Sequence, residues 1–156
     1  LERVDESQGS DLDAMSELLE NLVAAGKRTM PADIDYVREH YVDNPLSICC
    51  TLAEDDDGII LGFQSLIRAV DGNPYGTPAG WGIIGTHVSP DAARSGVGTT
   101  LFAASEQAVI STGLTKIEAF IGNANAVAQA YYERMGFTTY RQTETAICKV
   151  WTRQES

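Results

Sequence analysis

Apolar residues recur at Leu12, Met15, Leu19, Leu22 and Val23, the three-and-four spacing of one helical face. Ser10 stands where an N-cap belongs, Asp11 and Asp13 suit the positive end of the helix, and Gly26 is a natural stop. Residues 31–41 carry a shorter pattern of the same kind, with Ile34, Val37 and Tyr41 on one side, ended by Asn44-Pro45. Residues 1–5 predict a short opening strand. Beyond residue 46 the period changes. Residues 47–54 and 59–70 are rich in strand formers and are joined by Asp55-Asp56-Asp57-Gly58, an Asp-Gly hairpin signal. A Gly/Pro-rich connector at 71–80 leads to a strand at 81–88, then a loop and helix over 90–113. Residues 115–121 alternate, with Ile117, Ala119 and Ile121 on one face. A helix over 125–135 closes on Gly136, and strands at 137–141 and 145–151 finish the chain. The order β-α-α-β-β-β-α-β-α-β-β predicts one α+β (mixed α/β) domain over residues 1–156.

Composition changes this picture little. Hydrophobic residues at 44% and charged residues at 21% are those of an ordinary globular protein, and 156 residues suffice for a core. No apolar run approaches bilayer length, and Leu1-Glu2-Arg3-Val4 has neither the cationic flank nor the apolar stretch of a secretory signal, so a cytoplasmic location is expected. The net charge of −11 repels nucleic acid and anionic lipid. It also suits a cationic small partner, or simply solubility. Cys49, Cys50 and Cys148 lack a zinc-like spacing, and the first two should face opposite sides of a strand; buried reduced thiols and no metal site are expected.

The chemistry concentrates in two segments. Val88-Ser89-Pro90-Asp91-Ala92-Ala93-Arg94-Ser95-Gly96-Val97-Gly98-Thr99 runs from a strand into a helix. Gly96 and Gly98 allow close approach of a ligand to the backbone, and unpaired N–H groups at the helix start form an anion receptor, with Arg94 as a nearby charge. Anion binding and a plain glycine-led helix start are both compatible with this segment alone. It is neither a P-loop, lacking Gly-Lys-Ser/Thr, nor a dinucleotide fingerprint, because position 101 is Leu.

Asn125, Ala128, Tyr132, Gly136 and Phe137 stand at every spacing of N-x-x-A-x-x-x-Y-x-x-x-G-F. This segment resembles the second signature of the GNAT acetyltransferases, and the upstream turn resembles the family's first, Q/R-x-x-G-x-G/A. The two cover residues 81–137. The resemblance implies a mostly antiparallel twisted sheet that splays between the fourth and fifth strands, with helices on its flanks. Acetyl-CoA would lie in that cleft as acyl donor. Its pantetheine would pair with the strand edge near Val88 and hydrogen-bond Asn125, and its pyrophosphate would sit on the amides of Arg94, Ser95, Gly96, Val97, Gly98 and Thr99. Tyr132 would set its hydroxyl near the thioester sulfur, to protonate the leaving thiolate.

The sequence departs from the family pattern in two places. The Gln or Arg three residues before the first glycine is Ala93 here, with Arg94 one position later. No carboxylate stands on residues 81–88, where many members carry a Glu. His87 is the one titratable side chain there, more often packed than catalytic, and the base is left open among His87, Glu118, water and the N-terminal half. The resemblance implies an amine acceptor, small molecule or peptide, that contacts residues 26–36 and 71–80. Tyr36, Tyr75 and Trp81 would frame it, and Asp33, Asp35 and Asp71 would attract an ammonium. A homodimer through the terminal strands fits the element order. A non-catalytic acyl-CoA sensor and an interaction domain that has lost CoA are the competing classes.

Overall fold

The structure, a computed structural model, describes residues 3–92 and 95–154. The strands are β1 (Arg3–Glu6), β2 (Ser47–Glu54), β3 (Ile60–Arg68), β4 (Gly82–Val88), β5 (Lys116–Gly122), β6 (Thr138–Gln142) and β7 (Ala146–Thr152). The helices are α1 (Leu12–Ala24), α2 (Ile34–Val37), α3 (Val97–Thr112) and α4 (Ala126–Arg134). The strands form one sheet in the order β1-β2-β3-β4-β5-β7-β6. Every neighbouring pair is antiparallel except β4 and β5, which run parallel.

Period-2 alternation along the central strands sends their residues to opposite faces of the sheet, each with a core. Leu66, Ile84, Ile117, Ala119 and Ile121 face α3 and α4, meeting Phe102, Val109 and Phe137. Leu52 and Phe63 face α1 and α2, meeting Met15, Leu19, Val37 and Tyr41. Cys49 belongs to the first core and Cys50 to the second, so the adjacent thiols lie on opposite faces; all three cysteines are free and buried. The Asp-Gly hairpin forms as its sequence predicts. Gly58 takes φ +77°, and the Asp55 carboxylate accepts from the N–H groups of Asp57 (2.9 Å) and Ile59 (3.0 Å).

Two helix starts differ from expectation. Ser10 does not cap α1; it sits inside a 3₁₀ turn, Gly9–Asp11, where the Asp11 carboxylate accepts from Gln8 N–H at 2.9 Å. The second helix does not begin at residue 31. Asp33 captures Tyr36 N–H at 3.2 Å and starts α2, which passes into a π turn over Arg38–Val42. This shift turns Ile34 outward, 38% exposed, while Val37 and Tyr41 stay in the core.

Candidate active site at the splay of the fourth and fifth strands

β4 and β5 pair only over Gly82–Ile117, Ile83–Glu118 and Ile84–Ala119. Beyond Ile84 the strands part, and the β4 edge from Gly85 to Val88 has no strand partner on that side. This edge is half-buried, and its unpaired backbone groups are open to a ligand that supplies hydrogen bonds. The gap is a cavity of about 160 Å³ lined by Ile84, Gly85, Thr86, His87, Phe120, Ile121, Gly122, Asn125, Ala128 and Tyr132. Asn125 and Tyr132 thus meet at the splay, on the α4 side.

The second sequence motif has a structural reason. Asn125 is the N-cap of α4, its Oδ1 accepting from Ala128 N–H at 3.1 Å, which leaves the amide NH₂ as the group able to serve a ligand. At the other end Gly136 takes φ +99°, Phe137 N–H donates to the Tyr132 carbonyl (2.9 Å) and Gly136 N–H to that of Glu133 (3.0 Å). This is the Schellman pattern of bonds, and it fixes the Tyr-x-x-x-Gly-Phe spacing. The Phe137 ring is buried 5.1 Å from that of Tyr132.

The Tyr132 hydroxyl lies 2.8 Å from Thr86 Oγ1. Burial pushes the phenol well above its ordinary value, and the Thr86 contact opposes that rise. Thr86 is one member of a buried polar chain. Ser105 Oγ donates to Gln64 Oε1 (2.6 Å), and Gln64 Nε2 donates to both Thr86 Oγ1 (2.9 Å) and the Tyr131 hydroxyl (3.0 Å). Tyr131 donates in turn to the Gly98 carbonyl at 2.7 Å. Neighbouring tyrosines therefore do different things: Tyr131 ties α4 to α3, while Tyr132 faces the cleft. Reading the sequence passed over Gln64, Thr86 and Ser105. Gln64, a fully buried amide inside an apolar strand, was the available signal.

The first motif lies at the start of α3. Gly96 takes φ +85° and a Cβ on it would meet nothing within 4 Å. Because α3 begins at Val97, the N–H groups of Val97, Gly98 and Thr99 have no intrahelical acceptor, and Ser95 and Thr99 are exposed. Val88 reaches this turn through Gly62, where an added Cβ would lie 3.3 Å from Val88 Cα and 3.2 Å from Val97. Gly98 has a packing reason to be glycine: an added Cβ would sit 2.6 Å from the Tyr131 ring. Arg94 lies outside the described residues.

On the opposite face, His87 packs 4.8 Å from Phe63 and 5.3 Å from Tyr41, ring to ring. Burial, aided by the positive charge of Arg28, lowers its pKa to about 3, so the imidazole is neutral at ordinary pH and holds a proton weakly. Glu118 is fully buried and occupied: Thr77 donates to it at 3.1 Å, Arg141 at 2.7 Å, and the Tyr140 hydroxyl to its other oxygen. Arg141 also donates to the Tyr75 carbonyl (2.7 Å), so this ion pair pins the connector between β3 and β4. Asp33 and Asp35 turn away from the splay. Asp33 caps α2, Asp35 pairs with Arg38 at 3.1 Å, and both line a larger concavity of about 740 Å³ between α1 and α2. Tyr75 lies tilted against Phe120 at 5.4 Å, and Trp81 lies beside Tyr140 at 5.5 Å. Among the described residues no group of three potential ligands is placed to hold a metal ion, and no helix is long and apolar enough to cross a membrane.

A splayed parallel pair in an otherwise antiparallel sheet, with a capped helix and a tyrosine at the opening, matches a known family. Residues 13–137 match the model of the acetyltransferase (GNAT) family, and the chain belongs to it. A GCN5-related N-acetyltransferase from Kribbella flavida is similar in structure at 18% identity, with 97% of each chain covered and a TM-score of 0.76. A putative acetyltransferase from Salmonella typhimurium, solved with its cofactor acetyl-CoA, is similar at 17% identity over 99% of this chain and 95% of that one, TM-score 0.72. A ribosomal-protein-alanine N-acetyltransferase from Brucella melitensis is similar at 16% identity over 97% and 99%, TM-score 0.71. No curated protein matches the chain. At such identities the likeness to solved structures establishes the fold alone.

Proposed function

We propose that the protein transfers an acetyl group from acetyl-CoA directly to a primary amine of a small molecule or peptide, as a single domain. The observation that carries this reading is the Tyr132 hydroxyl, held by Thr86 at the mouth of the only partnerless stretch of β4. The residues fit the donor. The β4 edge from Gly85 to Val88 offers backbone groups to a pantetheine amide, and the NH₂ of Asn125 stands across the gap. The amides from Ser95 to Thr99, with Gly96 open, suit a pyrophosphate, and Arg94 is assigned to the same anion. Acetyl-CoA supplies the acetyl group as a thioester.

In this reading Thr86 accepts from Gln64 and gives its own proton to Tyr132 Oη. The phenol proton is then free to point into the cleft, toward the departing thiolate. Burial supports the role by keeping Tyr132 protonated well beyond neutral pH. Among the described residues that line the splay no side chain is a strong base, His87 being neutral and poorly basic, and in this reading the amine gives its proton to solvent before it attacks. Catalysis then rests on positioning and on backbone N–H groups of β4 near the thioester carbonyl. Three buried free thiols suit a reducing, cytoplasmic compartment.

Melting with acetyl-CoA, free CoA and ATP tests the cleft. A single-site ligand at a hundred times its Kd adds about 2.7 kcal/mol, which for a chain of this size is a rise on the order of 5–10 °C. A large shift with acetyl-CoA and little with ATP is expected; none at millimolar ligand would mean the cleft is not a CoA site. Release of CoA thiol with an amine separates the enzyme from a sensor that binds acyl-CoA without turnover.

A further inference from the structure

The face of β4 opposite Tyr132 bears Ile83, Gly85 and His87, and it opens toward α1 and α2. A line of aromatic rings runs outward from it. His87 lies 5.3 Å from Tyr41, Tyr41 lies 6.1 Å from Tyr36, and the Arg28 guanidinium stands 5.7 Å over the Tyr36 ring. Arg28 is partly buried and held in place. Its Nε and Nη2 both donate to the Pro31 carbonyl, at 3.2 and 2.7 Å. The next carbonyl, of Ala32, accepts from the buried Ser16 hydroxyl at 2.6 Å, and Asp33 then caps α2. The loop is thus anchored at three consecutive residues.

In a chain with twice as many acids as bases, no carboxylate among the described residues comes within 4.0 Å of Arg28. Its charge acts inward: it adds to the burial that holds His87 neutral, and it opposes part of the rise that burial gives the Tyr41 phenol. A fixed guanidinium that is planar, always charged and without a protein counter-ion is a preorganised receptor for a carboxylate. Of the three acids expected to attract an ammonium, Asp33 and Asp35 are used elsewhere and Asp71 stays exposed on the connector.

We propose that Arg28 is the anion subsite of the acceptor pocket, and that the acceptor is an amino carboxylate whose apolar or aromatic body lies along Tyr36, Tyr41 and His87. This rests on the acetyl-transfer reading. Net negative charge on the protein does not oppose it, because the subsite is a local positive charge among neutral rings.

The test is CoA-thiol release from acetyl-CoA with matched acceptors: phenylalanine, phenylalaninamide and phenethylamine, the corresponding methionine set, and α-, γ- and ε-amino acids to vary the spacing of amine and carboxylate. The carboxylate-bearing member of a set should exceed its neutral partners in kcat/KM by at least about tenfold. Arg28→Gln should erase that preference by raising KM for the carboxylate acceptor alone. The KM for acetyl-CoA and the acetyl-CoA-induced melting shift should be unchanged, which also shows that the variant is folded. Arg28→Lys should retain part of the preference. Equal or better turnover of the neutral amines, or an equal loss for every acceptor in Arg28→Gln, overturns the inference and leaves acetyl transfer standing. No thiol release from any member of the panel, with the acetyl-CoA melting shift retained, overturns the inference alone; loss of that shift as well overturns both.

Discussion

Replacing Tyr132 with Phe removes a single oxygen from the cleft, and the structure sets what that should cost. Thr86 Oγ1 loses one partner at 2.8 Å but keeps Gln64 at 2.9 Å, and Phe137 still packs on the ring. One hydrogen bond of this kind is worth about 0.5–1.5 kcal/mol net, and a chain of this length loses roughly 2–4 °C of Tm per kcal/mol. The fold should therefore survive with a Tm only a few degrees lower. Chemistry should suffer far more, since a positioned proton donor contributes on the order of 10²–10⁴ in rate. Steady-state thiol release with the best amine of the acceptor panel would give kcat, and a titration of acetyl-CoA would give its KM. A fall in kcat of about a hundredfold or more, with the acetyl-CoA KM held within about threefold, is the signature of an interaction made in the transition state. If kcat falls less than about threefold, Tyr132 is a packed aromatic and the proposed route of the proton is wrong.

Other consequences follow from the same geometry. The pH–rate profile should show no acid-side break near 6.5 that depends on His87, because its pKa lies near 3 and it stays neutral across the working range; His87→Gln should leave the limb in place, set by the acceptor amine. Nor should the rate fall as pH rises through 10, since burial keeps Tyr132 protonated above its ordinary value. For stability the sign is fixed: a depressed His pKa gives stability that is full above the unfolded value and declines as pH falls from about 6.5 toward 3, which acid titration of the Tm would show. Gly98→Ala drives a methyl to within 2.6 Å of the Tyr131 ring and should lower the unfolding free energy by an amount typical of overpacking, about 1–3 kcal/mol, whereas Gly122→Ala, with open space around it, should be nearly neutral. Glu118→Gln strips Arg141 of its counter-charge; because Arg141 is 28% exposed and can reach water, the loss in chemical denaturation should sit at the low end of the ~3–5 kcal/mol of a broken buried pair.

Most of the element order was legible because its signals are local. Alternation at Ile117, Ala119 and Ile121, the Asp-Gly hairpin and the Gly136 stop each depend on residues within a few positions of one another, and all appear as expected. The helix starts were harder. Ser10 has the chemistry of a cap and Pro31 that of an opening, yet the Asp11 carboxylate bonds back to Gln8 in a 3₁₀ turn and Asp33 takes Tyr36 N–H, choices that propensity does not rank. The two motifs were legible as patterns, and Asn125 and Tyr132 do meet at the splay.

The sequence by itself determined the sheet-and-helix order, the family and the residues that cap and close α4, since period, turn chemistry and capping are short-range. Only the tertiary structure decided what those residues touch. It made Tyr131 the tie to Gly98 and left Tyr132 to the cleft, through a Gln64 that stands 67 positions from Tyr131 along the chain. It spent Glu118 on Arg141 and Tyr140, gave Asp33 and Asp35 to helix α2, and set the Arg28 guanidinium over the Tyr36 ring with no carboxylate among the described residues within 4.0 Å. Which partner a buried polar group finds depends on which strands and helices are brought side by side, and that information is carried by the fold as a whole.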